Sequence, residues 1–190
     1  MQWILNTYSP VRFPSGCILM ADDDAAVSGL QSRTRILSVM NSLVKQQGHD
    51  TRQFELKKFD TGKPYGLLDG NKIGVSISHC RTMLLCATHA AGDIGVDVEP
   101  CDRTMHLRLR ERIGHPEEES VLTDDLCCIR MWTVKEAALK YMGTGLRMAM
   151  NKIKLDMAGE HRFRATMVHG TIMISSFRFR DHWIAVATEE

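Results

Sequence analysis

The sequence predicts an α+β fold built from two αβ halves of similar size in one chain. Two long helical patterns, over residues 29–47 and ending at residue 142, each occur beside several short strand-like segments. The chain has 190 residues, of which 44% are apolar, and this suits one domain or two small ones packed together. We therefore expect an N-terminal half over residues 1–93 and a C-terminal half over residues 94–190, although no internal repeat proves duplication.

The first half is predicted to contain one helix and several strands. The helix has apolar residues at three- and four-residue steps over residues 29–47, and Gly48 can end it. The Gly, Pro and Asp residues between positions 61 and 70 predict an exposed loop. Five segments have the character of short strands: residues 3–7, 17–20, 54–59, 73–79 and 83–89.

The second half is predicted to begin with a strand over residues 94–99. A turn at Ala90-Ala91-Gly92-Asp93 separates this strand from the preceding one and predicts a hairpin. Residues 101–123 are charged and predict two helical pieces, broken by Gly114 and Pro116. A longer helix begins at Asp124 or Asp125, where an aspartate can cap it, and about four strands follow within residues 152–188.

Composition excludes several classes of protein. The 24 Lys and Arg residues and 23 Asp and Glu residues give a formal net charge of +1, so neither a polycation nor a nucleic-acid partner is indicated. There is no secretory signal pattern and no stretch of ~20 apolar residues that could span a membrane. We therefore expect a soluble cytoplasmic protein. The six cysteines form no Cys-x-x-Cys pair, which favours reduced thiols over a metal site.

A pair of acids on one strand is the first candidate site. Asp97 and Glu99 are two residues apart, so their carboxylates point to one face while Val96 and Val98 point to the other. Adjacent carboxylates suit Mg²⁺, and acids on a strand of apolar character need a cation or a partner. A solvated strand face with ordinary surface acids is the alternative interpretation.

The helix that ends at residue 142 carries a second candidate group. Glu136 and Lys140 lie one turn apart and share a face with Trp132. A surface Glu–Lys pair worth about 0.3 kcal/mol would explain the spacing. The functional alternative is a third carboxylate on a metal, with Lys140 holding a phosphate oxygen.

A third group has polar residues suited to binding an anion. Lys63 lies in the turn Gly62-Lys63-Pro64, and Ser78 and His79 end a strand. A hydrogen-bonded structural role remains open for His79. Neither a P-loop nor a Gly-x-Gly-x-x-Gly fingerprint is present, so a standard nucleotide-binding fold is not indicated.

Four segments, taken together and in this order, resemble the Sfp-type (surfactin-type) 4′-phosphopantetheinyl transferases. They are Gly62-Lys63-Pro64, Ile77-Ser78-His79, Ile94-Gly95-Val96-Asp97-Val98-Glu99 and Trp132-Thr133-Val134-Lys135-Glu136-Ala137-Ala138-Leu139-Lys140. The last two carry the family signature, and the resemblance covers roughly residues 29–157. It implies two similar αβ halves in a pseudo-twofold arrangement, with the site at their interface.

The resemblance also implies a reaction, which moves the phosphopantetheine arm of coenzyme A onto a serine of an apo acyl, polyketide or peptidyl carrier protein. Adenosine 3′,5′-bisphosphate is released. Coenzyme A is the co-substrate and Mg²⁺ the expected metal, with Mn²⁺ as an alternative. Because the serine comes from the partner, the chain needs no catalytic triad of its own.

The resemblance assigns roles to individual residues. Asp97, Glu99 and Glu136 would bind the metal, and Lys140 would stabilise the phosphate under attack. Coenzyme A would contact Gly62, Lys63, Pro64, Ser78 and His79, and either Arg33 or Arg35 would meet its 3′-phosphate. Glu118 would be the general base, with Glu117 nearly as good a match.

The chain also departs from this family. Asp22-Asp23-Asp24 stands where larger members carry a basic cluster, and the length is short for a two-halved member. We still expect a monomer that holds both halves in one chain. A metal-dependent nuclease is disfavoured because position 101 is Cys where that class has a Lys. A catalytically inactive module that binds coenzyme A or a carrier protein is the remaining alternative.

Overall fold

The computed structural model describes residues 11–12, 17–22, 30–118, 125–167 and 170–189. These residues form two antiparallel sheets. The first sheet contains β1 (Val11–Arg12), β2 (Cys17–Asp22), β3 (Phe54–Lys58), β4 (Pro64–Leu68), β5 (Asn71–His79) and β6 (Leu84–His89). The second contains β7 (Gly95–Pro100), β8 (Lys154–Gly159), β9 (Arg162–Met167), β10 (Gly170–Phe179) and β11 (His182–Thr188).

The helices lie outside the sheets. They are α1 (Leu30–Gln46), α2 (Leu107–Ile113) and α3 (Asp125–Met142). Within the described residues, the strand order is β1-β2-β6-β5-β4-β3 in the first sheet and β7-β11-β10-β9-β8 in the second. Each sheet is covered by one long helix, so the predicted α+β class with two similar halves is confirmed. No helix in the described ranges has both the length and the apolar content to cross a membrane.

The layers follow from the alternation of side chains along the central strands. In β6, Leu84 and Cys86 pack against α1, while Leu85 and Ala87 point the other way, into a core shared by the two sheets. In β11, Ile184 and Val186 enter that same shared core. The residues that alternate with them pack against α3: Trp183, Ala185 and Ala187. The order of layers is therefore α1, first sheet, second sheet, α3.

The two sheets are joined where β5 meets the edge strand β7. Ser76 Oγ accepts a hydrogen bond from the Val96 N–H at 2.9 Å, and Ser78 Oγ accepts one from the Val98 N–H at 3.3 Å. These N–H groups lie on the edge of β7 that pairs with no other described strand of the second sheet, and buried backbone donors need an acceptor. The two serines, which share one face of β5, supply it.

The predicted hairpin between residues 83–89 and 94–99 is wrong. β6 pairs with β2 and β5, and β7 pairs with β11 in the other sheet. Both edges of β6 are already bonded, so the segment after it carries the chain to the second sheet.

Other sequence predictions agree with the structure to different degrees. α1, α3 and the four strands β8 to β11 are confirmed, and residues 116–118 form a short 3₁₀ turn where the second helical piece was expected. Part of the predicted exposed loop at residues 61–70 is instead strand β4. The predicted strand at residues 3–7 lies outside the described residues.

We predict that Gly95→Ala destabilises the fold strongly, because β7 passes directly over α3 there. A Cβ at Gly95 would collide with the Ala137 carbonyl and the Tyr141 amide, which are backbone atoms of a buried helix. We expect the free energy of unfolding, measured by urea denaturation, to fall by about 3 kcal/mol.

Gly48→Ala is the matched control. Gly48 has φ +87° but no atom within 4 Å of an added Cβ, so this variant carries only backbone strain of about 1 kcal/mol. Equal losses in the two variants would contradict the close packing of β7 on α3.

Candidate active site

The centre of the candidate site is a buried contact between three side chains from three elements. Asp97 on β7 is 4% exposed, and its Oδ1 accepts hydrogen bonds from Ser78 Oγ and Lys140 Nζ, both at 2.7 Å. Lys140, on α3, also donates to Ser78 Oγ at 2.8 Å. Lys140 therefore pairs with Asp97 between α3 and β7, and the interpretation of Asp97 as a solvated surface acid is wrong.

Glu99 lies two residues further along β7 and is held by two donors. Its Oε1 accepts hydrogen bonds from Arg103 and, at 3.1 Å, from Trp132 Nε1 on α3. The Arg103 guanidinium lies 4.9 Å from the centre of the Trp132 ring, within the range of a cation–π contact. This arrangement fixes the Glu99 carboxylate on the side of β7 that faces α3.

Glu136 joins these two acids from α3. Burial raises the pKa of Glu99 to about 7, and the charge of Asp97 adds to this shift. Burial also raises the pKa of Glu136, again with Asp97 as the second cause. The charges of Lys140 and Arg103 oppose both shifts. Asp97 is therefore close enough to repel both glutamates, and two cations partly compensate the negative charge.

The chemistry of these three carboxylates suits a divalent cation. Asp97 Oδ2 is buried and has no hydrogen-bond partner within the described residues, so one hard oxygen is left for a further ligand. As they stand in this structure, no three His, Cys, Asp or Glu residues of the described part of the chain are arranged so that they could hold a metal ion. In this structure Lys140 and Arg103 bond to Asp97 and Glu99, so ion binding requires these contacts to rearrange.

A cleft of about 390 Å³ opens beside this group, between the two halves. Gly62, Lys63 and Pro64 line it from the first half, and Lys140 lines it from α3. The side chain of Lys63 is only 11% exposed, because its Nζ bonds to the Tyr141 carbonyl and to Asp93 Oδ1, the latter at 2.7 Å. The Gly-Lys-Pro turn and the signature helix therefore meet at one cleft.

The end of α3 is shaped by a Schellman-type cap. The Gly143 N–H bonds to the Lys140 carbonyl, the Thr144 N–H bonds to the Leu139 carbonyl, and Gly143 has φ +71°. A Cβ at Gly143 would also lie 2.8 Å from Cδ of Lys63. Glycine at this position both ends the helix and leaves room for the lysine.

Three other predicted ligand-binding residues make no contact with this group. His79 is exposed at the end of β5. Arg35 forms a two-pronged ion pair with the buried carboxylate of Asp22, at 2.6 and 2.8 Å. Arg33 is exposed on α1, which makes it the better candidate of the two arginines for binding a phosphate.

Glu118 is also separate from the acidic group. It is 2% exposed, and its Oε2 lies 2.5 Å from Nζ of the fully buried Lys135. The same oxygen accepts the His115 N–H at 3.0 Å, and Oε1 accepts the Leu155 N–H. Burial lowers the pKa of Lys135, and the bond to Glu118 opposes that shift. Both oxygens of Glu118 accept hydrogen bonds, so the arrangement favours a structural role for Glu118 over the predicted role of general base. The alternative, Glu117, is exposed and paired with Lys154.

Sequence reasoning missed the residues that hold the site together. Ser76 binds β7, and Arg103 and Trp132 hold Glu99. For Ser76 a signal was available, since two serines at alternate positions of an otherwise apolar strand must face the same way. Arg103 lies in a loop, and no pattern in the sequence indicates its partner.

We predict that Glu118→Ala acts on stability. Removal of one member of a buried ion pair leaves Lys135 charged without its partner, at a cost of about 3–5 kcal/mol. Urea denaturation should show this loss. Glu117→Ala removes a neighbouring exposed carboxylate and should leave the free energy of unfolding almost unchanged, because an exposed ion pair contributes little to stability. An unchanged stability of Glu118→Ala would contradict the structural role.

Comparison with known proteins assigns the chain to a family. The family model of the 4′-phosphopantetheinyl transferase superfamily matches residues 93–187, which is half of the chain and includes β7, α3 and the rest of the second sheet. No curated protein sequence matches significantly. With Asp97, Glu136 and Lys140 all inside the matched span, the chain belongs to the 4′-phosphopantetheinyl transferase superfamily.

Proposed function

We propose that the chain is an Sfp-type enzyme that transfers the 4′-phosphopantetheine group of coenzyme A to a serine of an apo carrier protein. The observation that carries this proposal is the contact of Asp97, Ser78 and Lys140 beside Glu99 and Glu136, next to a cleft lined by Lys63. Phosphoryl transfer depends mainly on positioning and charge neutralisation, and this group offers both.

Asp97, Glu99 and Glu136 are the proposed metal ligands. The unpartnered Asp97 Oδ2 and the raised pKa values of the two glutamates support this assignment, since burial and the charge of Asp97 disfavour the ionised glutamates and a bound cation would favour them. Mg²⁺, or Mn²⁺ in its place, would neutralise the charge of the diphosphate and of the transferring phosphoryl group. Arg103 and Trp132 hold Glu99 in position.

Lys140 is the proposed cation for the phosphoryl group. Its side chain is 28% exposed and lines the cleft, and its ammonium bonds to Asp97 and Ser78. An ammonium has three donors, so the described contacts leave one for a phosphate oxygen. A lysine at this position can stabilise the negative charge of the phosphoryl group.

The remaining coenzyme A contacts are proposed along the cleft and beyond it. Gly62, Lys63 and Pro64 would bind the diphosphate, and Arg33 is preferred to Arg35 for the 3′-phosphate because Arg35 is paired with Asp22. His79 is exposed and keeps its proposed role at the edge of the site. The site lies between halves divided at residues 93 and 94, in a cytoplasmic monomer.

The reaction that follows from these roles needs a partner serine. Its oxygen bonds to the phosphorus that carries the pantetheine arm, and the bond from this phosphorus to adenosine 3′,5′-bisphosphate breaks. The serine proton is released. Lys140 would balance the charge that develops on the phosphoryl oxygens.

We predict that intact mass spectrometry detects one phosphopantetheine group on an apo carrier incubated with the chain, coenzyme A and Mg²⁺. The panel should include fatty-acid, polyketide and peptide-synthetase carriers. Asp97→Asn and Glu136→Gln should each reduce the rate by about 100-fold or more, because each removes a charged ligand of the proposed metal, whose positive charge would stabilise the transition state.

Glu55→Gln is the matched control, since Glu55 is an exposed acid on β3 that pairs only with Lys57 in the described structure. Its rate should equal that of the wild type. Coenzyme A binding without transfer to any carrier would support an inactive binding module. Full activity of a cooperatively folded Asp97→Asn would contradict the assigned site.

A further inference from the structure

Arg147 lies on the 3₁₀ turn after α3 and connects the two halves across the cleft. Its Nη2 donates to the Thr61 carbonyl and to the Gly143 carbonyl, both at 3.2 Å, and its Nε donates to the Thr144 carbonyl at 3.1 Å. Thr61 belongs to the loop before β4, whereas the other two carbonyls follow α3. One guanidinium thus holds two loops from different sheets.

Lys63 makes the reciprocal connection. It extends from the first half to the Tyr141 carbonyl at the end of α3, while Arg147 extends from the second half to the Thr61 carbonyl. Both cations therefore lie at the negative end of the α3 dipole, where exposed carbonyls favour positive charge. Each is placed by backbone atoms, which hold it in a defined position.

The cleft between these cations suits a polyanion. Lys63, Lys140 and Arg147 all line it, and none of its described lining residues is acidic. Thr144 Oγ1, also in this lining, is buried and has no hydrogen-bond partner within the described residues. The Nε and Nη2 atoms of Arg147 are bonded to backbone carbonyls, whereas its Nη1 makes no hydrogen bond to the described part of the chain. The planar guanidinium is therefore held on one side and keeps N–H donors on the other.

We propose that Arg147 binds the diphosphate of coenzyme A through Nη1 and that this contact strengthens the connection between the two halves. This inference rests on the proposed function, because it takes coenzyme A as the occupant of the cleft. Arg147 was not among the residues that the sequence singled out. A guanidinium bonded to both loops places its free donors at the cleft only while the loops stay together. Diphosphate binding would therefore also stabilise the contact between the two loops.

The test is isothermal titration calorimetry with two probes, coenzyme A and inorganic pyrophosphate, in the presence of Mg²⁺. Arg147→Ala should weaken the binding of both by about 10- to 100-fold, the loss expected for a charge-assisted hydrogen bond. Arg147→Lys keeps the charge but loses the planar group of N–H donors, so we expect a smaller loss of affinity, about 3- to 10-fold. It also serves as the second variant if the alanine variant folds poorly.

Arg52→Ala is the control. The Arg52 side chain is 88% exposed and bonds only to Asp50 within the described structure. Its affinities for coenzyme A and pyrophosphate should stay within about twofold of the wild type, since an exposed ion pair contributes little free energy. Coenzyme A and pyrophosphate should also raise the melting temperature of the wild type more than that of Arg147→Ala.

The outcomes separate the two proposals. If the wild type binds neither probe, the proposed function fails together with this inference. If the wild type binds both and Arg147→Ala binds them equally well, the inference fails and the proposed function stands. A loss confined to coenzyme A, with unchanged pyrophosphate binding, would overturn the assignment to the diphosphate.

Discussion

The Ser78 hydroxyl is the contact on which the site and the joining of the halves both depend. A hydroxyl has one donor and two acceptor positions, and in Ser78 these bond to the Asp97 carboxylate, the Val98 N–H and the Lys140 ammonium. The same oxygen therefore holds β7 against β5 and orients Asp97 towards α3. Because the bond to Val98 crosses from one sheet to the other, the geometry of the acids is tied to how the halves pack.

The acids tolerate burial because cations from two other elements compensate them. Burying three carboxylates together costs free energy unless positive charge lies nearby, and the raised pKa values of Glu99 and Glu136 reflect this cost. Lys140 and Arg103 supply part of the compensation, yet Asp97 Oδ2 stays without a hydrogen bond in the described structure. Binding a further cation would lower this cost, and under the proposed function the adjacent cleft lined by Lys63 and Lys140 would take the diphosphate.

Local sequence patterns predicted the helix and the strand that carry the site. Strand pairing and ion pairs between residues distant in sequence could not be predicted in the same way. The periodicity of α3 and the glycine after it, together with the alternation in β7, placed Asp97, Glu136 and Lys140 correctly on their elements. The hairpin prediction failed because a strand's partners depend on which edges are already bonded, and β6 had none free. The ion pairs of Glu118, the predicted general base, and of Arg35, one of the two arginines predicted to bind the 3′-phosphate, were missed for a related reason. Each is paired with a charge distant in sequence, Lys135 or Asp22, and one sequence does not reveal such pairs.

The central claim is that Asp97, Glu99 and Glu136 together bind a divalent cation. Electron paramagnetic resonance of Mn²⁺, titrated with the wild type in the presence of coenzyme A, tests it without relying on turnover. We predict a single bound Mn²⁺ per chain, and an affinity at least about 10-fold weaker in Glu99→Gln, which keeps the shape of the side chain but removes its charge. No bound Mn²⁺ in the wild type, or equal affinity in the two proteins, would contradict the account.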